Sequence, residues 1–234
     1  HDSSQLDCKM SQLTLGVALE DDAMFSNFYA PRGTRQHIAL SSLREKSHQS
    51  VFLSGPLGTG LSHLLQAACR QEEDSIYLPL GHVAEASPEN LFDKLEMHRL
   101  VCLDDLHTVI TKNTWQHSVF NLFNRCFDNG TNIIFAAHCR VDALGVVLPD
   151  LLSRLKSGLV IHFSDYREED LFGLLKYRAQ IRGLPLTDEV AVYMLGRLAR
   201  STSSVMSALD RLDQASMLEK KRVTLPFVKR VLDI

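Results

Sequence analysis

Residues Val51 to Ala68 read VFLSGPLGTGLSHLLQAA, a short apolar run that breaks into glycines and resumes as an amphipathic segment. The pattern predicts a strand, a phosphate-binding loop and a helix, because Gly55 and Gly60 have the spacing of the motif G-x-x-x-x-G-K-[ST]. Glycine suits such a loop, since backbone N–H groups must approach phosphate oxygens closely and the positive end of the following helix points at the same place. The alternative is a tight strand-to-helix turn that serves folding alone.

The predicted loop lacks its usual cation. Leu61 stands where the motif has lysine, and Ser62, which follows, could still hold Mg²⁺ through its hydroxyl. A charge-assisted contact of this kind contributes about 1.5–3 kcal/mol. We therefore expect weakened binding of a nucleoside triphosphate and little ATP hydrolysis.

Two acids follow a second apolar run. Residues Leu100 to Leu103 read LVCL and lead directly into Asp104 and Asp105. A carboxylate at the carboxyl end of a buried strand beside a phosphate loop is the usual position of a Mg²⁺-binding acid. The alternative is a solvated strand end.

Composition sets the broad class. The chain has 234 residues, of which 45% are hydrophobic and 23% charged, and this indicates a soluble globular protein with a sizeable core. A net charge of −3 argues against a chain whose main task is binding nucleic-acid phosphates, and it leaves a local basic patch open. We expect a cytoplasmic protein, because no apolar run could span a bilayer and the residues HDSSQLDCK show no signal-peptide pattern.

Cysteine and histidine spacings predict no metal site. The five cysteines show no C-x-x-C spacing, which favours buried free thiols in a reducing compartment. They are Cys8, Cys69, Cys102, Cys126 and Cys139. The histidines, such as His63, His107, His117 and His138, share no ligand spacing.

Hydrophobic periodicity predicts an α/β domain followed by helices alone. After the strand at Val51, further strands are expected at Ser75–Leu80, Leu100–Leu103, Asn132–Ala137 and Gly158–Phe163. Helices are expected at Ile38–Lys46, Pro88–Met97, Thr114–Asp128 and Leu148–Leu155, and later at Glu168–Arg182, Thr187–Leu198, Ser203–Leu218 and Leu225–Leu232. The prediction is a tail at 1–22, a domain with a five-stranded parallel sheet at 23–165 and a small all-helical domain at 166–234.

Two short segments near the start are ambiguous. Residues Gln12 to Val17 read QLTLGV, and their alternating apolar side chains favour a tail strand that packs on its own domain. Phe25, Phe28 and Tyr29 cluster before Pro31 and could either wall a base-binding pocket or cap the core.

The order of these segments resembles an AAA+ module with a helical lid. The amino-acid motifs within the segments resemble those of the Hda family, the DnaA-related regulators of bacterial replication initiation. The resemblance runs almost from end to end, and the motifs are specific in combination. They are QLTL from Gln12, DDAMFSNF, GLSHLLQAAC, LVCLDD, the run from Trp115 to Arg125, LPDLLSRL, RGLPLTDEV, LDRLDQAS and LPFVKRVLDI.

The resemblance implies a function and its residues. Members of this family tether to the DNA polymerase sliding clamp through an N-terminal peptide, here Gln12, Leu13 and Leu15, and stimulate DnaA to hydrolyse its ATP. Arg154 of LPDLLSRL is then an arginine finger that acts in trans on the partner's nucleotide. Because Leu61 replaces a cation, a ligand with fewer phosphate charges is expected, ADP or another nucleoside diphosphate, and Mg²⁺ could bind at Ser62 and Asp104. We expect no sequence-specific DNA binding and no membrane association, and a homodimer stays open. The implied nucleotide-binding residues are Gly55, Gly58, Thr59, Gly60, Leu61, Ser62, His63, Asp104 and Asp105.

The chain departs from the family pattern at three nucleotide contacts. Relatives carry lysine or arginine at the position of Leu61, often a hydroxyl or amide at Ala136-Ala137, and an arginine at Ser203, for which Arg200 could substitute in part. These departures predict a degenerate site with weak or absent ATPase activity. Two alternative functions stay open. The first is an active ATPase of the initiator or helicase-loader type, which we would expect to have the missing lysine and a DNA-binding unit after the lid, where this sequence ends at Ile234. The second is a scaffold that uses no nucleotide.

Overall fold

The computed structural model describes residues 23–234, and contacts between residues divide them into two units. The first unit contains residues 23–55 and 60–163. The second contains residues 56–59, the tip of the predicted phosphate loop, together with residues 164–234. The predicted tail, with its peptide at Gln12 to Val17, lies outside the described residues.

The first unit is built on a parallel five-stranded sheet, as predicted. Its strands are β1 (Ser50–Ser54), β2 (Ser75–Pro79), β3 (Leu100–Asp104), β4 (Asn132–Ala137) and β5 (Leu159–His162). Their order in the sheet is β2-β3-β4-β1-β5, and every neighbouring pair is parallel. The carboxyl ends of all five strands therefore meet at one edge of the sheet.

Helices cover the sheet and bury it. The helices of this unit are α1 (Arg35–Glu45), α2 (Leu61–Gln71), α3 (Pro88–Leu91), α4 (Asn113–Asn129) and α5 (Pro149–Ser157). All residues of β1 and β3 are buried, which is the expected result for central strands of a parallel sheet covered on both faces. The two faces carry separate cores, one around Phe135 and Trp115 and the other around Leu53 and Leu64.

The second unit is helical. Besides loop residues 56–59 it contains α6 (Glu168–Ile181), α7 (Asp188–Leu195), α8 (Thr202–Glu219) and α9 (Leu225–Leu232). Thr187 and Ser201 cap α7 and α8 by accepting hydrogen bonds from the backbone N–H groups of Val190 and Ser204. The predicted change from strands to helices after Arg167 is confirmed.

One predicted helix is wrong over most of its length. The sequence pattern predicts a continuous helix over Pro88–Met97, but α3 ends at Leu91 and Lys94 adopts a left-handed conformation with φ of 60°. The break allows Phe92 and Leu95 to enter the same core, where the Phe92 ring meets Trp115 edge to face at 5.7 Å. Packing of these two apolar side chains outweighs local helix propensity.

Three shorter corrections concern element ends. Helix α1 begins at Arg35 rather than Ile38, because the Thr34 side chain accepts a hydrogen bond from the N–H of His37 and caps the helix earlier. Strand β2 ends at Pro79, and Leu80 begins a short 3₁₀ turn. Strand β5 is shorter than Gly158–Phe163 at both ends.

Within residues 23–234 no helix combines the length and apolarity that a membrane crossing needs. The same part of the chain brings no three histidine, cysteine or acidic side chains together as a metal-binding group. The four cysteines that the structure describes are free thiols, three of them buried, and Cys139 is partly exposed.

Candidate functional site

The predicted phosphate loop begins where β1 ends, and Gly60 is the N-cap residue that directly precedes α2. Gly60 has φ of 90°, and a Cβ atom placed there would lie 2.4 Å from Cε2 of Phe28. Within residues 23–234 no side chain caps this end of α2. The backbone N–H groups of the first turn are thus left for a ligand or water.

Leu61 packs into the core. Its side chain is 3% exposed and belongs to the cluster that contains Leu64 and Phe28. The residue that replaces the motif's lysine therefore contributes to the packing of α2 on the sheet, and not to charge at the phosphate position.

Ser62 and His63 are both partly exposed on the first turn of α2. The Ser62 hydroxyl has no hydrogen-bond partner among residues 23–234, which leaves its oxygen available to a metal or a phosphate. His63 Nε2 lies 2.8 Å from the carbonyl oxygen of Met24, and because a carbonyl only accepts, this nitrogen carries the proton. The His63 ring also packs on Phe28 at 5.6 Å between centroids.

The tip of the loop is a turn within the second unit. Thr59 donates from its hydroxyl to the carbonyl of Pro56 over 2.7 Å and is almost fully buried. Gly58 has φ of 82°, and a Cβ placed there would lie 3.2 Å from the backbone of Ser203 at the start of α8. Both the backbone conformation and this close approach favour glycine at position 58.

Asp104 is held by two protein donors at the end of β3. The Tyr77 hydroxyl donates to Oδ2 over 2.7 Å, and the backbone N–H of Asp105 donates to Oδ1 over 2.9 Å. Burial, and then the charge of Asp104, raise the pKa of the Tyr77 phenol, so that it remains a donor. Asp104 is only 2% exposed. Mg²⁺ could therefore bind its carboxylate only beside the existing hydrogen bonds, and it could displace the Tyr77 hydroxyl only if the Tyr77 side chain moved.

Asp105 lies in a group of histidines. His138 Nε2 is 3.5 Å from its Oδ1, and His138 Nδ1 is 3.1 Å from the carbonyl oxygen of Gly55. Burial, and then the charge of Asp104, raise the pKa of Asp105, while the histidines act in the opposite direction. His138 thus links the start of the phosphate loop to the second acid.

Ala136 and Ala137 end β4 with buried methyl groups and offer no polar side chain. Arg200, in the second unit, forms a 2.7 Å ion pair with Glu168. Its use as a substitute for the arginine absent at Ser203 would require it to leave this carboxylate.

Arg154 lies on the exposed face of α5. Leu151 and Leu155 bury the opposite face completely. The Arg154 guanidinium lies 5.8 Å from the ring of Phe123 and 5.9 Å from that of Phe127, within range for cation–π attraction. Within the described residues it forms no ion pair, so its charge is available to an anion from outside the chain.

Comparison with protein families matches two parts of the chain. Residues 168–232 match the model described as "Hda, lid domain", and residues 81–162 match the bacterial DnaA ATPase domain. The chain belongs to the Hda family of DnaA-related replication regulators. The Hda assignment predicted from the sequence motifs is confirmed, as is the AAA+ fold with a helical lid.

Individual proteins are similar to this chain in sequence or in fold. An uncharacterized protein of Haemophilus influenzae is 37% identical over 232 residues, which cover 95% of this chain and 99% of that protein. Domain III of the Thermotoga maritima replication initiation protein DnaA has the same fold, with a TM-score of 0.78 at 22% identity over 93% of this chain and 98% of that one. AMPPCP-bound DnaA from Aquifex aeolicus has a TM-score of 0.70 at 24% identity, covering 87% of this chain and 68% of that chain.

Sequence reasoning missed Tyr77 and His138 at this site. Both contacts join residues of neighbouring strands, Tyr77 to Asp104 across β2 and β3, and His138 to Asp105 beyond β4 and β3. The position of His138 in the sequence could have indicated its role, because His138 directly follows strand β4 just as Asp105 directly follows strand β3. Using that signal requires the strand order, which local patterns do not contain.

Proposed function

We propose that this Hda-family protein regulates replication initiation by stimulating ATP hydrolysis on DnaA through Arg154. The observation that carries the proposal is the exposed guanidinium on α5, which is supported by two aromatic rings and lacks a carboxylate partner in the described part of the chain. A guanidinium can bind two phosphate oxygens at once and stays charged at any physiological pH. It would neutralise charge that develops on the γ-phosphate as water attacks and ADP leaves.

The protein's own loop has a different role in this proposal. It binds a nucleoside diphosphate and does not hydrolyse ATP, because Leu61 is packed in the core and the end of β4 carries only methyl groups. The uncapped first turn of α2 would hold the phosphates. Mg²⁺, when bound, would screen the phosphate charge. The Ser62 hydroxyl and the carboxylate of Asp104 are the groups that would hold it.

Arg154 is tested by following ADP formation from ATP-loaded DnaA in the presence of clamp on DNA and this protein. Arg154→Ala should abolish stimulation, since arginine fingers contribute on the order of 10³–10⁵ in rate. Lys156→Ala is the matched control, because Lys156 is an exposed cation on the same helix that is already paired with Asp142. Equal stimulation by the parent and Arg154→Ala would refute the finger.

Clamp tethering is a further part of the proposal and rests on Gln12, Leu13 and Leu15. An extended segment with this pattern can place a glutamine in a polar notch and leucines in an apolar pocket. Gln12→Ala combined with Leu13→Ala should remove clamp binding, whereas Gln5→Ala with Leu6→Ala, a second Gln-Leu pair in the same tail, should not. Retained clamp binding after deletion of residues 1–19 would refute the tether.

A scaffold that uses no nucleotide is the competing function, and the packing of Leu61 in the core favours it. The two are separated by calorimetric and melting measurements with ADP, ATP and CDP. A ligand that binds only the native state raises the melting temperature, by an amount that grows with its concentration above Kd. We expect ADP to stabilise the parent and to stabilise Ser62→Ala less; no shift with any nucleotide would favour the scaffold.

A further inference from the structure

Basic side chains concentrate at one corner of the second unit, where α8 ends and α9 begins. Residues 219–234 contain five lysines or arginines and two acidic side chains, a net formal charge of +3 in a chain whose total is −3. The basic residues are Lys220, Lys221, Arg222, Lys229 and Arg230, and all are exposed. We call these five side chains the lid basic cluster.

Part of the cluster surrounds an open recess. Lys221, Arg222 and Arg230 line it together with Thr224, Pro226 and Phe227. Thr224 precedes the first turn of α9 and forms no capping bond with its side chain. Cationic groups and the Thr224 hydroxyl, which has no hydrogen-bond partner within residues 23–234, therefore line the same recess.

One carboxylate inside the cluster marks where an anionic oxygen binds. Arg230 Nη2 and Lys221 Nζ lie 2.7 Å and 3.2 Å from the same oxygen, Oε2 of Glu219. The hydrogen bond from Arg230 lowers the pKa of the Glu219 carboxyl. The Arg230 guanidinium is also held over the Phe227 ring at 5.2 Å.

The positive charge of the cluster exceeds what Glu219 neutralises. Lys220 and Arg222 have no hydrogen-bond or ionic partner among residues 23–234, and Lys229 contacts only the Tyr193 ring, at 5.0 Å. Exposed cations gathered without counter-charges attract polyanions, because binding releases the condensed counterions of the polyanion.

We propose that the lid basic cluster binds the phosphate backbone of double-stranded DNA without regard to sequence. An acidic membrane is the other polyanionic surface, and the structure disfavours it. The apolar face of α9, formed by Phe227, Val228 and Leu232, is buried in the unit and cannot enter a bilayer. The exposed Met217 and Leu218 beside the cluster are two side chains only, far less than the apolar face that an interfacial helix inserts. The proposal is independent of the Arg154 finger and of the clamp peptide.

The proposal is tested by fluorescence anisotropy with a labelled duplex of about 30 base pairs and arbitrary sequence, without clamp or DnaA. With about four phosphate contacts, a plot of log affinity against log salt concentration should have a slope of about −3 to −4. Lys220→Ala with Arg222→Ala should reduce the steepness of this slope by about 2, since each lost contact removes about one unit. Arg99→Ala with Lys112→Ala, the same change of charge in the first unit, should leave it unchanged.

A variant with the opposite effect excludes a merely structural role for the cluster. Glu219→Gln removes the internal competitor of Lys221 and Arg230 and should tighten DNA binding severalfold, although it breaks two ion pairs. Melting temperatures of all variants report whether folding is retained. A salt-independent interaction, equal slopes for the two double variants, or weaker binding by folded Glu219→Gln would overturn the proposal. Binding to vesicles containing about 30% phosphatidylglycerol without binding to the duplex would overturn it in favour of a membrane surface.

Discussion

Tyr77 and Asp104 lie on adjacent strands and are joined by a 2.7 Å hydrogen bond from the phenol to Oδ2 of the carboxylate. Asp104 is almost fully buried, so the Tyr77 hydroxyl supplies the hydrogen bond that water would otherwise donate to one oxygen of this carboxylate. The Tyr77–Asp104 hydrogen bond therefore stabilises this edge of the sheet and also holds the carboxylate that we propose as a Mg²⁺ ligand.

Replacing Tyr77 with phenylalanine should lower the free energy of unfolding by about 1.5–3 kcal/mol, the range for a lost hydrogen bond to a charged group. Urea denaturation measures the change. Ser75→Ala is the control, because the buried Ser75 hydroxyl donates to a neutral acceptor, the backbone carbonyl of Cys69, over 2.9 Å. That variant should lose only about 0.5–1.5 kcal/mol; equal losses would show that the charge of Asp104 adds nothing.

Gly60→Ala should destabilise the protein more than Gly33→Ala. Both glycines have positive φ, 90° and 84°, so both substitutions incur backbone strain of about 1–2 kcal/mol. Only at Gly60 would the new methyl also collide with Phe28, and overpacking adds about 1–3 kcal/mol. Thermal denaturation compares the two, and a Phe28→Leu replacement in the Gly60→Ala background should recover part of the loss. Equal destabilisation by the two alanine variants would contradict the close approach of Phe28.

Phe127 should act as a positioning residue for Arg154. Phe127 is 54% exposed and its ring lies below the guanidinium, so Phe127→Ala should leave the melting temperature nearly unchanged while stimulation of DnaA falls severalfold. Phe127→Tyr, which keeps an aromatic face, should retain stimulation. Met97→Ala removes another exposed apolar side chain and serves as the control. Full stimulation by Phe127→Ala would show that the ring does not position the finger.

Thiol reactivity should follow burial. Burial, and then the charge of Glu96, raise the pKa of Cys126 to about 12, so the thiol stays protonated and unreactive even at about pH 9. In a Cys8→Ser background, a disulfide reagent should label the partly exposed Cys139 first and should spare Cys69, Cys102 and Cys126 until urea unfolds the chain. Labelling of Cys126 in the native protein between about pH 7 and 9, read by peptide mass, would contradict its burial.

Local patterns in the sequence determined most of the elements and the family. The glycines after β1, the apolar runs of the strands and the helical periods after Arg167 act over a few residues, which is the distance at which propensity and hydrophobic alternation operate. Strand β4 and helix α9 have the predicted bounds, and the buried stripe of α4 contains the predicted residues Trp115, Val119 and Cys126. The residues of the sequence motifs and the order of these motifs along the chain were sufficient to identify the Hda family.

Only the tertiary structure decided which of these residues meet. The order β2-β3-β4-β1-β5 places Tyr77 on Asp104 and His138 beside Asp105, and no local pattern encodes that order because the paired segments lie 27 and 33 residues apart in the chain. The packing of α5 on α4 likewise set the Phe127 ring under Arg154. Core packing overrode propensity at Lys94, where burying Phe92 and Leu95 ended a helix that the sequence would have continued. Contacts between distant segments depend on how whole elements stack, and that is settled by the burial of their shared apolar surface.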